Sequence, residues 1–79
     1  QFVGALLDEA SFEGASGAAP NFAKARLASA NFTAAQVPGA DFSGATLHNA
    51  AMRAGDFSSA NFAGTDLTAA SLSGSNLSK

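Results

Sequence analysis

The sequence predicts an all-β solenoid. The chain turns a corner every five residues, four corners make a coil of twenty, and one large apolar residue per side points at the axis. Three observations predict this. All seven phenylalanines, Phe2, Phe12, Phe22, Phe32, Phe42, Phe57 and Phe62, fall in one class modulo five. Counted against a fixed template, chance does this roughly once in 15,000 sequences. Six of the seven leucines, Leu7, Leu27, Leu47, Leu67, Leu72 and Leu77, join the same class with Val37 and Met52. A period of twenty is superposed on the period of five, which is how stacked repeats announce themselves.

The period decides the geometry. Five residues on an α-helix turn through about 140°, so the Phe/Leu class would smear around the cylinder. The high alanine content makes the helix the main rival. On a flat strand, a period of five sends successive members to opposite faces. Only a chain that bends at every pentad keeps the class on one side.

Within each pentad the slots have distinct roles. Two residues before the large apolar centre lies a small slot: Ala5, Ala10, Ala15, Pro20, Ala25, Ala30, Ala35, Ala40, Ala45, Ala50, Gly55, Ala60, Thr65, Ala70 and Ser75. Only a small side chain fits beside an inward Phe or Leu. Between the two sits a polar slot, often Asn or Asp, as at Asn21, Asn31, Asp41, Asp56, Asn61, Asp66 and Asn76. The two remaining corner slots are mostly Ala, Gly, Ser and Thr.

Taken twenty apart, the centres form four columns. Column one is Phe2, Phe22, Phe42 and Phe62, and column two is Leu7, Leu27, Leu47 and Leu67. Column three is Phe12, Phe32, Met52 and Leu72, and column four is Gly17, Val37, Phe57 and Leu77. Like stacks on like in the first two, as in a solenoid. The expected core ladder is Phe22, Leu27, Phe32, Phe42, Leu47, Phe57, Phe62 and Leu67. Four coils at a β-type spacing of roughly 4.8 Å make a rod about 19 Å long.

The triplets Ala30-Asn31-Phe32, Ala40-Asp41-Phe42 and Ala60-Asn61-Phe62 carry the pattern Ala-(Asp/Asn)-(Leu/Phe)-x-x. In this the sequence resembles the pentapeptide-repeat family, over residues 1–79 as one solenoid without an insertion or an evident capping element. The resemblance implies a right-handed quadrilateral β-helix of about four coils. The departures are local. Gly17 empties one core position and is followed by Ala18-Ala19-Pro20. Pro20 and Pro38 each delete a backbone donor and are expected to weaken ladder bonding on the side of column four. The first coil is therefore expected to be the looser end.

Composition excludes several functions. With no cysteine there is no disulfide framework, zinc finger or redox motif. A net charge of −2 lacks the basic footprint of a nucleic-acid binder, so no direct nucleic-acid contact is expected. The longest apolar run, Phe2 to Leu7, is far too short for a transmembrane helix. The chain opens at Gln1, which reads as a processed product, an excised segment or part of a longer chain, and leaves the compartment open. The family resemblance points to a soluble protein of bacterial or thylakoid-lumen type.

Catalytic chemistry has little to draw on, so the expectation is a non-enzyme with no cofactor or metal. His48 stands alone in its slot. It combines with Asp66 and one of ten serines only by free choice among surface residues. Asp8, Glu9 and Glu13 form an acidic patch on the first coil, read as a solvated rim, with Arg26 placed to pair with Asp8. The Gln1, Asn21, Asp41, Asn61 column is read as a ladder of stacked side-chain amides. No acidic cluster has calcium-loop spacing.

The sequence places core residues at both ends, and solenoid ends normally need covering. Phe2, Leu6, Leu7, Leu72 and Leu77 are therefore the candidate end or interface residues. Leu6 is the outward leucine, either an interface anchor or a lone surface residue. More of the same chain, a second copy or a protein partner would each cover an end. The reading that results is a structural or protein–protein interaction module, a subunit or segment docking in a larger assembly.

The alternative, implied by the resemblance, is a DNA-mimic inhibitor or protector of DNA gyrase or another topoisomerase. It requires a surface charged like DNA. Over 19 Å a duplex carries roughly 11 negative charges, against six acidic residues here. Ice binding needs regular threonine rows, and Thr33, Thr46, Thr65 and Thr68 do not align in one.

Overall fold

The computed structural model describes residues 2–76. A corner stands at every pentad. Its closing bond runs from the small-slot N–H back to the centre carbonyl, as in Ala5 to Phe2 (3.0 Å), Ala25 to Phe22 (3.0 Å) and Ala45 to Phe42 (2.9 Å). The second corner residue always has positive φ, from Gly4 (69°) through Glu9, Lys24, Ser29 and Ala34 to Gly74 (72°). Positive φ at the third residue of a four-residue turn is the signature of type II.

Successive coils pair in parallel through the polar slot. Eleven isolated bridges are found among the described residues, each joining residues twenty apart, from Leu6 with Arg26 to Asp56 with Asn76. A corner every five residues leaves only one residue per side in bridge geometry, so no extended strand forms. The ladder is nonetheless dense. In each pentad of a central coil the centre and second-corner N–H groups donate to one neighbouring coil, and the polar-slot N–H donates to the other. Examples are Phe22 to Asp41 O (2.7 Å), Lys24 to Ser43 O (2.8 Å) and Arg26 to Ala5 O (2.8 Å).

The prolines do not weaken this ladder, contrary to expectation. On the side of column four, Gly17 donates to Gln36 O (3.0 Å), Ala19 to Pro38 O (2.8 Å), and Asp41 to Pro20 O (2.9 Å). Pro20 occupies the small slot, whose N–H serves the corner, so what it removes is the closing bond of the 17–20 corner. Pro38 occupies the first corner slot, whose N–H takes no part in the ladder. That is also the position proline prefers in a type II turn.

The core lies at residues 22–57. Phe22, Leu27, Phe32, Val37, Phe42, Leu47, Met52 and Phe57 are buried, and so are the small-slot alanines from Ala25 to Ala50. Column one is a stack of near-parallel rings, with centroids 4.8 Å apart for Phe2–Phe22, 5.2 Å for Phe22–Phe42 and 5.3 Å for Phe42–Phe62. Phe12 and Phe32 stack in column three at 4.8 Å. The two stacks meet edge to face, with Phe22 and Phe32 at 5.6 Å and 89°. This herringbone satisfies the ring quadrupoles in both directions. Of the expected ladder, Phe62 and Leu67 are only half-buried, because they lie nearer the end of the described coils.

The Cα atoms span 24 × 20 × 20 Å. The body is about as wide as it is long, a short block of coils.

Candidate functional site

The polar slot first has to be separated from any site, because its role is local. The first-corner N–H is left out of the ladder, and the polar-slot side chain accepts it. Asn21 Oδ1 takes the N–H of Ala23 (3.0 Å), Asn31 that of Thr33 (2.9 Å), Asp41 that of Ser43 (2.9 Å) and Asn61 that of Ala63 (2.9 Å). These are Asx turns. The column therefore does not form the expected amide ladder. Each member binds its own corner, and Gln1 lies outside the described residues. The Ser43 hydroxyl and N–H hold the Asp41 carboxyl below the ordinary 3.8, and Ser58 and Thr68 do the same for Asp56 and Asp66.

Asp8 extends the same device between coils. Arg26 fills the polar slot of its pentad and cannot accept the Ala28 N–H, so Asp8 Oδ1 on the neighbouring coil takes it at 3.1 Å. Asp8 Oδ2 also lies 3.5 Å from the Arg26 guanidinium, in the pairing its position anticipates. Both side chains are largely exposed, so the ion pair is worth at most about 1 kcal/mol. The capping role was legible only from the missing Asx at position 26, on the neighbouring coil.

Among the described residues no side-chain hydrogen bond joins His48 to Asp66 or to a serine. His48 is exposed, and Asp66 is engaged by Thr68, whose hydroxyl lies 2.6 Å from Oδ1. Among the described residues no group of His, Cys, Asp and Glu is placed to hold a metal ion. No helix among them is long and apolar enough to cross a membrane.

The apolar surface that remains lies on the first coil. Leu6 is 77% exposed and Val3 54% exposed. Phe2, Leu7 and Phe12 are half-buried against the core. Asp8, Glu9 and Glu13 are exposed on the same coil. At the other end Phe62, Leu67 and Leu72 are half-buried, and Leu77 lies outside the described residues.

A stack of twenty-residue coils, cornered at every pentad around inward Phe and Leu, defines a repeat solenoid of five-residue units. The chain belongs to the pentapeptide-repeat family. The family pattern, pentapeptide repeats, matches in eight copies over residues 1–33, 25–62 and 40–78. No curated protein sequence matches the chain. Among solved structures it is similar to HetL, a pentapeptide repeat protein involved in heterocyst differentiation regulation in the cyanobacterium Nostoc. The TM-score is 0.90 at 34% identity, over 94% of this chain and 35% of HetL. It is also similar to a pentapeptide repeat protein of the Arabidopsis thaliana thylakoid lumen, with a TM-score of 0.64 at 32% identity, over 99% of this chain and 57% of that one. A third, from the cyanobacterium Cyanothece, shares the fold at a TM-score of 0.61 and 22% identity, over 94% of this chain and 54% of that one. The chain thus spans between about a third and three-fifths of these proteins' lengths.

Proposed function

We propose that this chain is a non-catalytic protein-interaction module whose first coil docks onto a protein partner. In this reading its coils have the right-handed, four-sided sense of the family β-helix. The observation that carries the proposal is the exposure of Leu6 and Val3 beside the half-buried Phe2, Leu7 and Phe12. Apolar area of this kind, rimmed by polar groups, marks interaction surfaces. The rim is acidic, through Asp8, Glu9 and Glu13, so the complementary partner offers an apolar anchor flanked by basic side chains. The likeness to HetL, a regulator in its own organism, supports a regulatory use of such docking. The thylakoid-lumen and cyanobacterial relatives support a cyanobacterial or plastid setting.

The DNA-mimic alternative gains nothing from the geometry. Asp41, Asp56 and Asp66 lie on three different sides of the coil and are tied into their own corners.

A photo-reactive residue replacing Leu6, with one replacing the exposed Ala34 as control, tests the proposal in the source cells. The expected result is a discrete protein adduct from position 6 alone, weakened by salt and abolished by the charge reversals Asp8→Lys and Glu9→Lys. Equal labelling from both positions would refute the docking surface. An adduct made of two copies of this chain would replace the partner with self-association.

A further inference from the structure

The pocket at Gly17 adjoins that docking surface and shares the Phe2 and Phe12 rings with it. We infer that it is a binding site for a small uncharged aromatic molecule of single-ring size. Gly17 is the one described core-column position without a side chain. Its column neighbours Val37 and Phe57 are 5% and 1% exposed, whereas Gly17 is exposed. A cavity of about 200 Å³ opens there, walled by the rings of Phe2, Phe12, Phe22 and Phe32 and by Val37.

The glycine is not required by the backbone. Its φ lies outside the left-handed region, and a Cβ added to it would meet nothing within 4 Å. The two flanking corners are closed by small-slot hydrogen bonds, Ala15 to Phe12 O (2.9 Å) and Ala25 to Phe22 O (3.0 Å). Pro20, which also lines the cavity, removes the donor from the corner between them.

The walls select the ligand. No charged side chain lines the cavity, and Ser16 is its one polar side chain. A charged or strongly polar guest would lose hydration with no partner to replace it. An apolar cavity of roughly 150 Å³ is already large enough to take benzene, so this one admits a single substituted ring. The two wall stacks stand nearly perpendicular, with Phe12 and Phe22 at 80° and Phe2 and Phe12 at 78°. A flat guest therefore lies parallel to one stack and edge-on to the other, extending the herringbone of the core.

Toluene is the probe and benzoate its charged control, followed by NMR of the phenylalanine rings and by thermal melting. The expected result is saturable shifts at Phe12 and Phe32, with a melting midpoint that rises as toluene exceeds its dissociation constant. Benzoate produces neither. Gly17→Leu, which restores the side chain found elsewhere in the repeat, weakens toluene binding at least tenfold and raises the midpoint without ligand. Gly17→Ala does both to a smaller degree and serves if the larger change disturbs folding. Absence of saturable toluene binding to the unmodified protein, or unchanged binding in both variants, overturns the inference. A concentration-dependent association that toluene dissolves would also overturn it, because the occupant would then be a side chain of another protein molecule.

Discussion

Gly55→Ala is the most informative single substitution, because it adds only one methyl group to a slot that is alanine in eleven of fifteen pentads. At Gly55 the added Cβ would stand 2.4 Å from Cε2 and 2.9 Å from Cζ of Phe57, and 3.0 Å from the carbonyl oxygen of Ala35. Phe57 is 1% exposed and packs against Phe32 and Phe42 at 6.3 and 6.2 Å, so its ring has little room to retreat. Overpacking of this kind costs about 1–3 kcal/mol. The glycine is therefore there because the Phe57 ring lies over it. Phe57→Leu relieves the clash, since Ala25 with Leu27 and Ala45 with Leu47 already pack as buried pairs. In a double-mutant cycle read by urea denaturation, Gly55→Ala should cost about 1–3 kcal/mol alone but less than about 0.5 kcal/mol on the Phe57→Leu background. Additive costs, or a neutral Gly55→Ala in the parent, would refute the ring-over-glycine account.

Three further outcomes are expected. Ala34 and Ala69 hold the left-handed corner conformation at φ 60°, so Ala34→Gly and Ala69→Gly should each stabilise by up to about 1 kcal/mol in urea melts, against the usual penalty for glycine. Asp41, Asp56 and Asp66 have folded pKa values below their unfolded value near 3.8. Their contribution is present above that pH and is lost as pH falls through the depressed values. The melting midpoint should fall in that acid range, and combined Asp→Asn replacement, which keeps the Oδ1 acceptor, should flatten the fall. Phe32 is fully buried with four ring neighbours, so Phe32→Ala should cost about 3–5 kcal/mol, whereas Phe62→Ala, half-buried, should cost clearly less in the same denaturation assay.

The core was legible because burial here has a period that no helix or strand shares. Phe22 to Phe57 are buried where modular arithmetic puts them. The corners were legible as a period, but their left-handed conformation was not, because nine of the fifteen left-handed positions carry Ala, Ser, Lys, Glu or Asn and not glycine. A position whose conformation is imposed by the ladders on either side leaves little trace in residue choice, since tertiary hydrogen bonds override local preference. The Asx residues were visible but misassigned. Their alignment twenty apart suggested stacking, whereas the bond each makes is to a residue two positions away. The prolines misled for a related reason, since sequence alone does not say which of the five N–H groups in a pentad serves the ladder and which closes the corner.

The first coil holds several of the places where the repeat breaks its own rule. Leu6 stands in a polar slot, Gly17 in a core slot, Pro20 in the slot whose N–H closes a corner, and Asp8 does for a neighbouring coil what Asx does at home. In the central coils every core slot is filled by a buried side chain, and Asn31, Asp41 and Asp56 are bonded within their own corners. The exceptions on the first coil leave it with an outward leucine, an aromatic-walled cavity and an acidic rim, the features on which both proposals rest. The regular coils hold that surface in place. The irregular coil carries both the docking surface and the ligand site proposed above.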